Sequence, residues 1–409
     1  MRTLLRNQQA WLYVLLLVSI VLLTGEIINE RFWMHDLEVY YRTAARMLEG
    51  KELYRIQEDG HYVYKYSPTA AVYFVPLSLL PFSLAKVVYW ALLTAIAAAV
   101  LQLLYKMAAG SAPGILTRNS NFLLLAFLAV GAHIHREWHL GQVNLVLLGV
   151  YVLFIRALQQ EKGLFAGLLL GASLFLKPFG LIFYPYLLLK KQYKALFTSL
   201  AGVVLLGLLP MVFYPSWPVY LQLNQSWLAE LAIELSAKQN LLADANHTVF
   251  SVLARVTPIG SLLGSPGAVR VYQVLLLGLI ALFLLWFIRL GKELKGSVVA
   301  EGALLISLIP LFAFTSQNAF LFTLPCIVVL LYRFKTLPAP AKWMTVGGCV
   351  LVGINIRDLM GSRLYNVLED ASVYTFGAVL LLASLAMCRY HAQKPLKQQQ
   401  VETENITHA

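Results

Sequence analysis

Residues 29–68 read NERFWMHDLEVYYRTAARMLEGKELYRIQEDGHYVYKYSP, the longest polar interval in the first half of an otherwise apolar chain. With Glu26 just ahead of it, the interval holds eight carboxylates, and Asp36 and Glu38 sit at its centre directly after His35. A carboxylate within hydrogen-bond reach of a hydroxyl can take its proton, and a nearby lysine or arginine can neutralise an anionic leaving group. Lys65, Arg136, Lys177 and Arg255 supply such cations at the edges of apolar runs. Together these are the parts needed to move a group from a phosphate ester to a hydroxyl. No nucleotide fingerprint, Walker motif or nucleophile elbow accompanies them.

Asp36 reads in two ways. Leu37, Tyr40, Tyr41, Ala44 and Leu48 recur at helical spacing, with Glu38, Arg42, Arg46 and Glu49 opposite and Gly50 ending the run. This predicts a helix lying on the membrane surface, and an Asp immediately before such a run is ordinarily its N-cap. Val39 offers no capping-box partner. Glu38, two residues on, faces elsewhere and ranks below Asp36. Tyr62, Tyr64 and Tyr66 alternate with Val63 and Lys65, an extended pattern whose simplest use is anchoring in the interfacial aromatic belt.

The elements that position these residues are membrane helices. Hydrophobic residues make up 59% of 409 and charged residues 13%, against about 25% in a soluble domain. Apolar runs near 10–28, 83–105, 120–134, 142–155, 163–176, 178–189, 195–213, 271–290, 299–314, 319–332, 343–356 and 371–388 predict an all-α polytopic membrane protein with about 12 transmembrane helices. The segment 67–82, broken by prolines, reads as interfacial.

Treating 163–189 as a hairpin at Lys177-Pro178 puts 18 of the 32 basic residues and five of the 20 acidic ones on one side. That is the bias of a cytoplasmic face, and it explains the net charge of +12 without nucleic acid. Both termini are then cytoplasmic and the polar loops 29–82 and 214–269 lie outside. Residues 1–390 form one transmembrane domain, and 391–409 read as a disordered cytoplasmic tail. Residues 10–28 lack a small-x-small cleavage site and are kept as an anchor.

The remaining polar features have plain readings beside functional ones. HIHREWHLGQVN (133–144) gathers three histidines, but no third ligand has metal-site spacing, so an anion site at Arg136 is preferred and no metal is assigned. Lys177 either snorkels or meets an anion. Cys326, Cys349 and Cys388 lie in apolar runs and read as small core residues.

The ordered set of motifs resembles glycosyltransferase family 87, the polyprenol-phosphate-mannose-dependent mannosyltransferase-like proteins of the bacterial envelope. The pieces are Asp36 with Tyr40 and Ala44, GKELY (50–54), YKYSP (64–68), VPLSLLPF (75–82), GQVN (141–144), AGLLLGASLFLKP (166–178) and NQS (224–226), over roughly the first 260 residues. The resemblance implies a GT-C fold in the bacterial inner membrane, with Asp36 as base and a polyprenyl-phosphate sugar entering from the bilayer. A lipid or glycan would be the acceptor, and no cofactor is needed. Glu38, Lys65, Tyr66, Arg136, Gln142, Asn144, Lys177, Asn224 and Arg255 are the candidate substrate-binding residues. Where many relatives have a Trp and a His before a late helix, this chain reads FTSQNAF (314–320), so Gln317 or Asn318 takes that place. The competing class is a transporter or flippase of lipid-linked sugars, which also explains the many spans and the broken hairpin.

Overall fold

Apolar runs punctuated by proline and glycine fold as helices, since in a bilayer each backbone amide must find its partner within the segment. The computed structural model describes residues 9–111, 121–237, 241–243, 246–291, 296–312 and 317–407. In chain order the α-helices are α1 (Ala10–Ile28), α2 (His35–Leu48), α3 (Ile56–Asp59), α4 (Pro68–Ser78), α5 (Phe82–Ser111), α6 (Phe122–Leu140), α7 (Asn144–Gln159), α8 (Gly163–Leu176) and α9 (Phe183–Leu189). They continue as α10 (Tyr193–Gly207), α11 (Trp217–Ala237), α12 (Val249–Val256), α13 (Pro266–Leu290), α14 (Ser297–Phe312), α15 (Leu324–Tyr332), α16 (Ala339–Gly353), α17 (Arg357–Asp370) and α18 (Val373–Thr407).

The chain is a multi-pass membrane protein, all-helical among the described residues. Among the described residues, five stretches are long and apolar enough to cross a bilayer: α1, α5, Tyr193–Val212, α13 and Val373–Gln393. Counted together, α6 and α7 make a sixth, bent by 120°. The twelve apolar segments expected from sequence coincide with helix for most of their length. Several are nevertheless short: the 14 residues of α8 reach about 21 Å, less than the ~30 Å hydrocarbon core. By length and composition alone, the described residues hold five crossings, or six with the bent pair, and the shorter apolar helices Gly163–Leu176, Pro178–Leu189, Ser297–Phe312 and Gln317–Tyr332 fall below that length.

Two compact units divide the chain. One comprises Leu12–Val100 and His133–Asn240 and contains the polar interval. Its α8 and α10 run in the same direction. Gly163 lies against Lys194, Gly167 against Ala195–Ser199, Gly171 against Ser199 and Val203, and Gly207 against Phe175. A Cβ at Gly167 would fall 2.5 Å from the Ala195 carbonyl oxygen, so glycine is what lets the two backbones touch. Residues 178–189 must therefore travel back between them, and Lys162 and Lys194 end on the same side. This is the hairpin that the charge count required.

In the same unit α2 is amphipathic as expected, with one shift of register. Leu37, Tyr40, Thr43, Ala44 and Met47 are buried against α4, whereas Leu48 is exposed. Its other side carries the Glu38–Arg42 pair, and Arg46 forks onto Asp59. Trp90 stacks on Trp138 at 5.3 Å and donates Nε1–H to Ser19 Oγ at 2.9 Å, tying α5 to α6 and α1.

The second unit comprises Met1–Trp11, Leu101–Ala132 and Leu241–Ala409. Gly348 and Gly377 let α16 and α18 approach closely, and Thr345 and Ser384 share a hydrogen bond of 2.8 Å between them. Arg389 and Glu301 form a buried ion pair at 2.6 Å. The backbone of α18 is helical through Thr407, and the lysines, glutamines and glutamates of its last turns are good helix formers. Cys326 and Cys388 are buried, Cys349 is half-buried, and all three are free thiols.

Candidate active site

The site is assembled by one turn. Between α6 and α7, Gly141 adopts φ +69°, and a Cβ there would lie 2.6 Å from Leu37 Cβ and 3.2 Å from Leu37 N. Glycine thus serves twice: it permits the left-handed backbone, and it admits the start of α2. The approach sets Gln142 against Asp36, with the Gln142 amide donating from Nε2 to Asp36 Oδ2. Tyr89 OH donates to the Gln142 carbonyl oxygen at 3.1 Å and pins the turn.

Asp36 is not the cap of its helix. The cap position belongs to Met34, in the left-handed region at φ 52°, and no side chain caps α2. Asp36 instead sits half-buried in the first turn, where helix dipole and amide both favour its charge. Burial pushes its carboxyl above the usual aspartate value. The Gln142 hydrogen bond and the nearby Lys177, His35 and Lys65 pull it part of the way back.

Lys177 ends α8 in extended conformation (φ −148°, ψ 138°), forced by the following proline. Its ammonium turns inward and donates to Asn144 Oδ1 at 2.8 Å, with the Phe179 ring 5.6 Å away and the Tyr66 ring 6.0 Å away. Asn144 in turn donates from Nδ2 to Glu137 Oε1 at 2.8 Å, and Leu145 N donates to Glu137 Oε2 at 3.0 Å. Glu137 is fully buried. GQVN is thus a working unit: Gly141 makes the turn, Gln142 holds Asp36, and Asn144 relays Glu137 to Lys177. Glu137 was missed in the sequence because the histidines around it draw the metal question. Its signal was a carboxylate seven residues before Asn144 at a membrane edge.

The tyrosines do not form an anchoring belt. Tyr62 is exposed, but Tyr64 is buried and donates to Ser67 O at 3.1 Å, while Tyr66 and Tyr40 share a hydrogen bond of 2.9 Å between hydroxyls. Burial holds the Tyr66 phenol well above its ordinary pKa, so it stays a neutral hydroxyl beside Asp36. Lys65, partly exposed, pairs with Glu234 on α11.

Other candidates are engaged elsewhere. Glu38 pairs with Arg42 on the exposed side of α2. Arg136 is half-buried beside Glu137, and Asn224 donates to the Tyr220 carbonyl one turn back at 2.8 Å. His139 lies 2.9 Å and His135 3.4 Å from the Glu26 carboxylate. Among the described residues, no group of three or more His, Cys, Asp or Glu side chains is arranged to hold a metal ion.

In the second unit, Arg255 donates to the carbonyl oxygens of Asp370 and Asn246 and to Ser372 Oγ, at 2.9, 3.1 and 2.6 Å. Gln317 donates to Tyr365 OH at 2.7 Å and accepts from Tyr374 OH at 2.6 Å. Residues 314–316 of FTSQNAF lie outside the described residues, and Asn318 is fully buried.

Comparison with the curated proteins gives no match. A crystal structure of ArnT from Cupriavidus metallidurans bound to undecaprenyl phosphate is similar at 13% identity and a TM-score of 0.39, covering 95% of this chain and 79% of that one. The model of glycosyltransferase family 87 matches residues 64–310, more than half of the chain. The match includes Lys65, Tyr66, Glu137, Gln142, Asn144 and Lys177, while Asp36 lies ahead of it and Gln317 beyond it. The chain belongs to glycosyltransferase family 87 and is a membrane glycosyltransferase.

Proposed function

We propose that the protein transfers a mannose-like hexose from a polyprenyl-phosphate sugar to a lipid- or glycan-linked acceptor of the cell envelope. The observation that carries the reading is the convergence on Asp36 of Gln142, Lys65 and Lys177, one carboxylate with two cations in electrostatic reach. As the acceptor oxygen bonds to the anomeric carbon, the bond from that carbon to the phosphate oxygen breaks. The acceptor's proton passes to Asp36 and the electron pair leaves with the polyprenyl phosphate. Lys177 and Lys65 offset the charge that accumulates on the phosphate, and Tyr66 offers it a neutral donor. Glu137 and Asn144 hold Lys177 in place for this. The donor's polyprenyl chain provides the membrane binding, so neither nucleotide nor divalent metal enters the scheme. The GT-C architecture, the outer-face site with both termini in the cytoplasm, and the bacterial inner membrane belong to the same proposal, supported by the charge bias of the loops.

Purified protein given a polyprenyl-phosphate hexose and a panel of envelope lipids and glycosides tests this. The expected result is polyprenyl phosphate and glycosylated acceptor in equal amounts, without nucleotide sugar and in the presence of a chelator. Movement of the sugar lipid across a liposome bilayer without its consumption would establish the flippase instead, and metal-reversible loss of turnover would overturn the metal-free scheme.

A further inference from the structure

The outer helix α11 brings a second pair of carboxylates to the same site. Glu230 and Glu234 stand one turn apart and therefore share a face. Glu234 pairs with Lys65, and Lys65 is within electrostatic reach of both Asp36 and Glu230. Tyr66 feels the charges of Asp36, Glu137 and Glu234. Tyr54, which donates to the Tyr66 carbonyl oxygen at 2.7 Å, feels that of Glu230. The segment Lys65-Tyr66 is thus flanked by Asp36 on one helix and by the α11 carboxylates on another.

Glu230 is only 2% exposed, yet its Oε2 accepts no hydrogen bond from the described residues. Beside Asp36, the Gln142 Oε1 is in the same condition, although its Nε2 is bonded. Buried acceptor oxygens without donors are costly to a fold. Both oxygens suit the same partner, a hydrogen-bond donor. An anionic ligand group is disfavoured there by Glu230 and Glu234, and Lys65 already supplies a positive charge. A neutral hydroxyl fits.

We propose that Glu230 binds a sugar hydroxyl of a substrate, with Glu234 positioning Lys65 between this subsite and Asp36. The hydroxyl belongs either to the acceptor glycan or to the hexose of the donor. The assignment rests on the transferase reading above and extends it to the recognition of uncharged sugar rings.

The test compares full-length wild type with Glu230→Leu and Glu230→Gln, using a polyprenyl-phosphate hexose as donor and a neutral alkyl hexoside as acceptor probe. Leu removes the carboxylate whose Oε2 has no donor among the described residues, so the variant is expected to unfold at a higher temperature. Its KM for one of the two sugars should rise about tenfold or more, the scale of a lost hydrogen bond to a charged group. Gln keeps an acceptor oxygen and should recover most of that loss. The KM that moves identifies whether acceptor or donor supplies the hydroxyl. Unchanged KM values in the Leu variant would overturn the proposal. Failure of that variant to fold would also overturn it, by showing that the carboxylate has a structural partner. Wild-type turnover tests the transferase reading separately, and if it is absent, titration of the alkyl hexoside into wild type and the Leu variant still reads the subsite.

Discussion

Replacing Glu137 by glutamine probes the polar relay beneath the site. The carboxylate accepts from Asn144 Nδ2 at 2.8 Å and from Leu145 N at 3.0 Å, and it is fully buried. A glutamine has one acceptor oxygen, so it can serve one of these donors while its NH2 group faces the other. The lost charge-assisted bond is worth about 1.5–3 kcal/mol, and the donor left unsatisfied costs about 1–3 kcal/mol more. Removal of a buried charge returns part of this, leaving a net destabilisation of about 2–3 kcal/mol. The functional effect follows from Asn144, which loses its anchor and with it the hold on Lys177. Thermal unfolding in detergent should show the stability loss, and steady-state kinetics should show a raised donor KM with a smaller change in the acceptor KM. A variant as stable as wild type with unaltered donor KM would refute the relay.

Three further outcomes follow from the same geometry. Lys177→Met removes the cation that the proposed scheme sets against the phosphate and leaves Asn144 Oδ1 without its donor, so donor KM should rise roughly tenfold or more; an uncharged short-chain donor analogue should bind as well as to wild type in a competition assay. Gly141→Ala places a Cβ 2.6 Å from Leu37 Cβ at a positive φ, and it should lower turnover by displacing Asp36 while leaving the α8–α10 packing intact, read by activity beside limited proteolysis. In a background lacking the three native cysteines, Gln57→Cys and Ser261→Cys, both at exposed positions, should react with an impermeant thiol reagent from the outer face of intact cells. Labelling only after the inner face is opened would invert the topology.

The apolar segments were legible because each is a long run bounded by Pro, Gly or basic residues. The hairpin at Lys177 was legible only through charge, since two 12–14-residue apolar runs in tandem look like one long span. Asp36, Gln142, Asn144 and Lys177 were each visible as polar residues at helix ends. Their convergence was not, because it depends on how closely Gly141 meets Leu37, a contact without local sequence signature. Glu137 and Glu230 escaped for a related reason: a buried carboxylate on an apolar helix face looks the same in sequence as a solvated one. The register of α2 was misjudged by one position, with Met47 buried in place of Leu48, because Met and Leu are equally apolar and the approach of α4 decides between them. Nor does sequence reveal which cations are already occupied. Arg255 reads like Lys65, but three hydrogen bonds engage Arg255 within its own unit, whereas Lys65 pairs with Glu234.

The role of Asp36 is tested most directly by Asp36→Asn, measured for turnover and stability across pH. The asparagine keeps the size of the side chain and an oxygen for the Gln142 amide. In wild type the folded carboxyl has a raised pKa, so its contribution to stability is full below the ordinary aspartate value and is lost as pH rises through the folded value. Asparagine does not titrate, and the variant should therefore be at least as stable as wild type at neutral pH. Wild-type turnover should fall on acidification at a pH above the usual aspartate range, as the base becomes protonated. In the variant that acid limb should vanish and turnover should drop by roughly 10²–10⁴-fold, the range for lost acid–base catalysis, with donor binding retained. A folded Asp36→Asn protein that turns over near the wild-type rate, with the acid limb intact, would contradict the assignment of Asp36 as the proton acceptor.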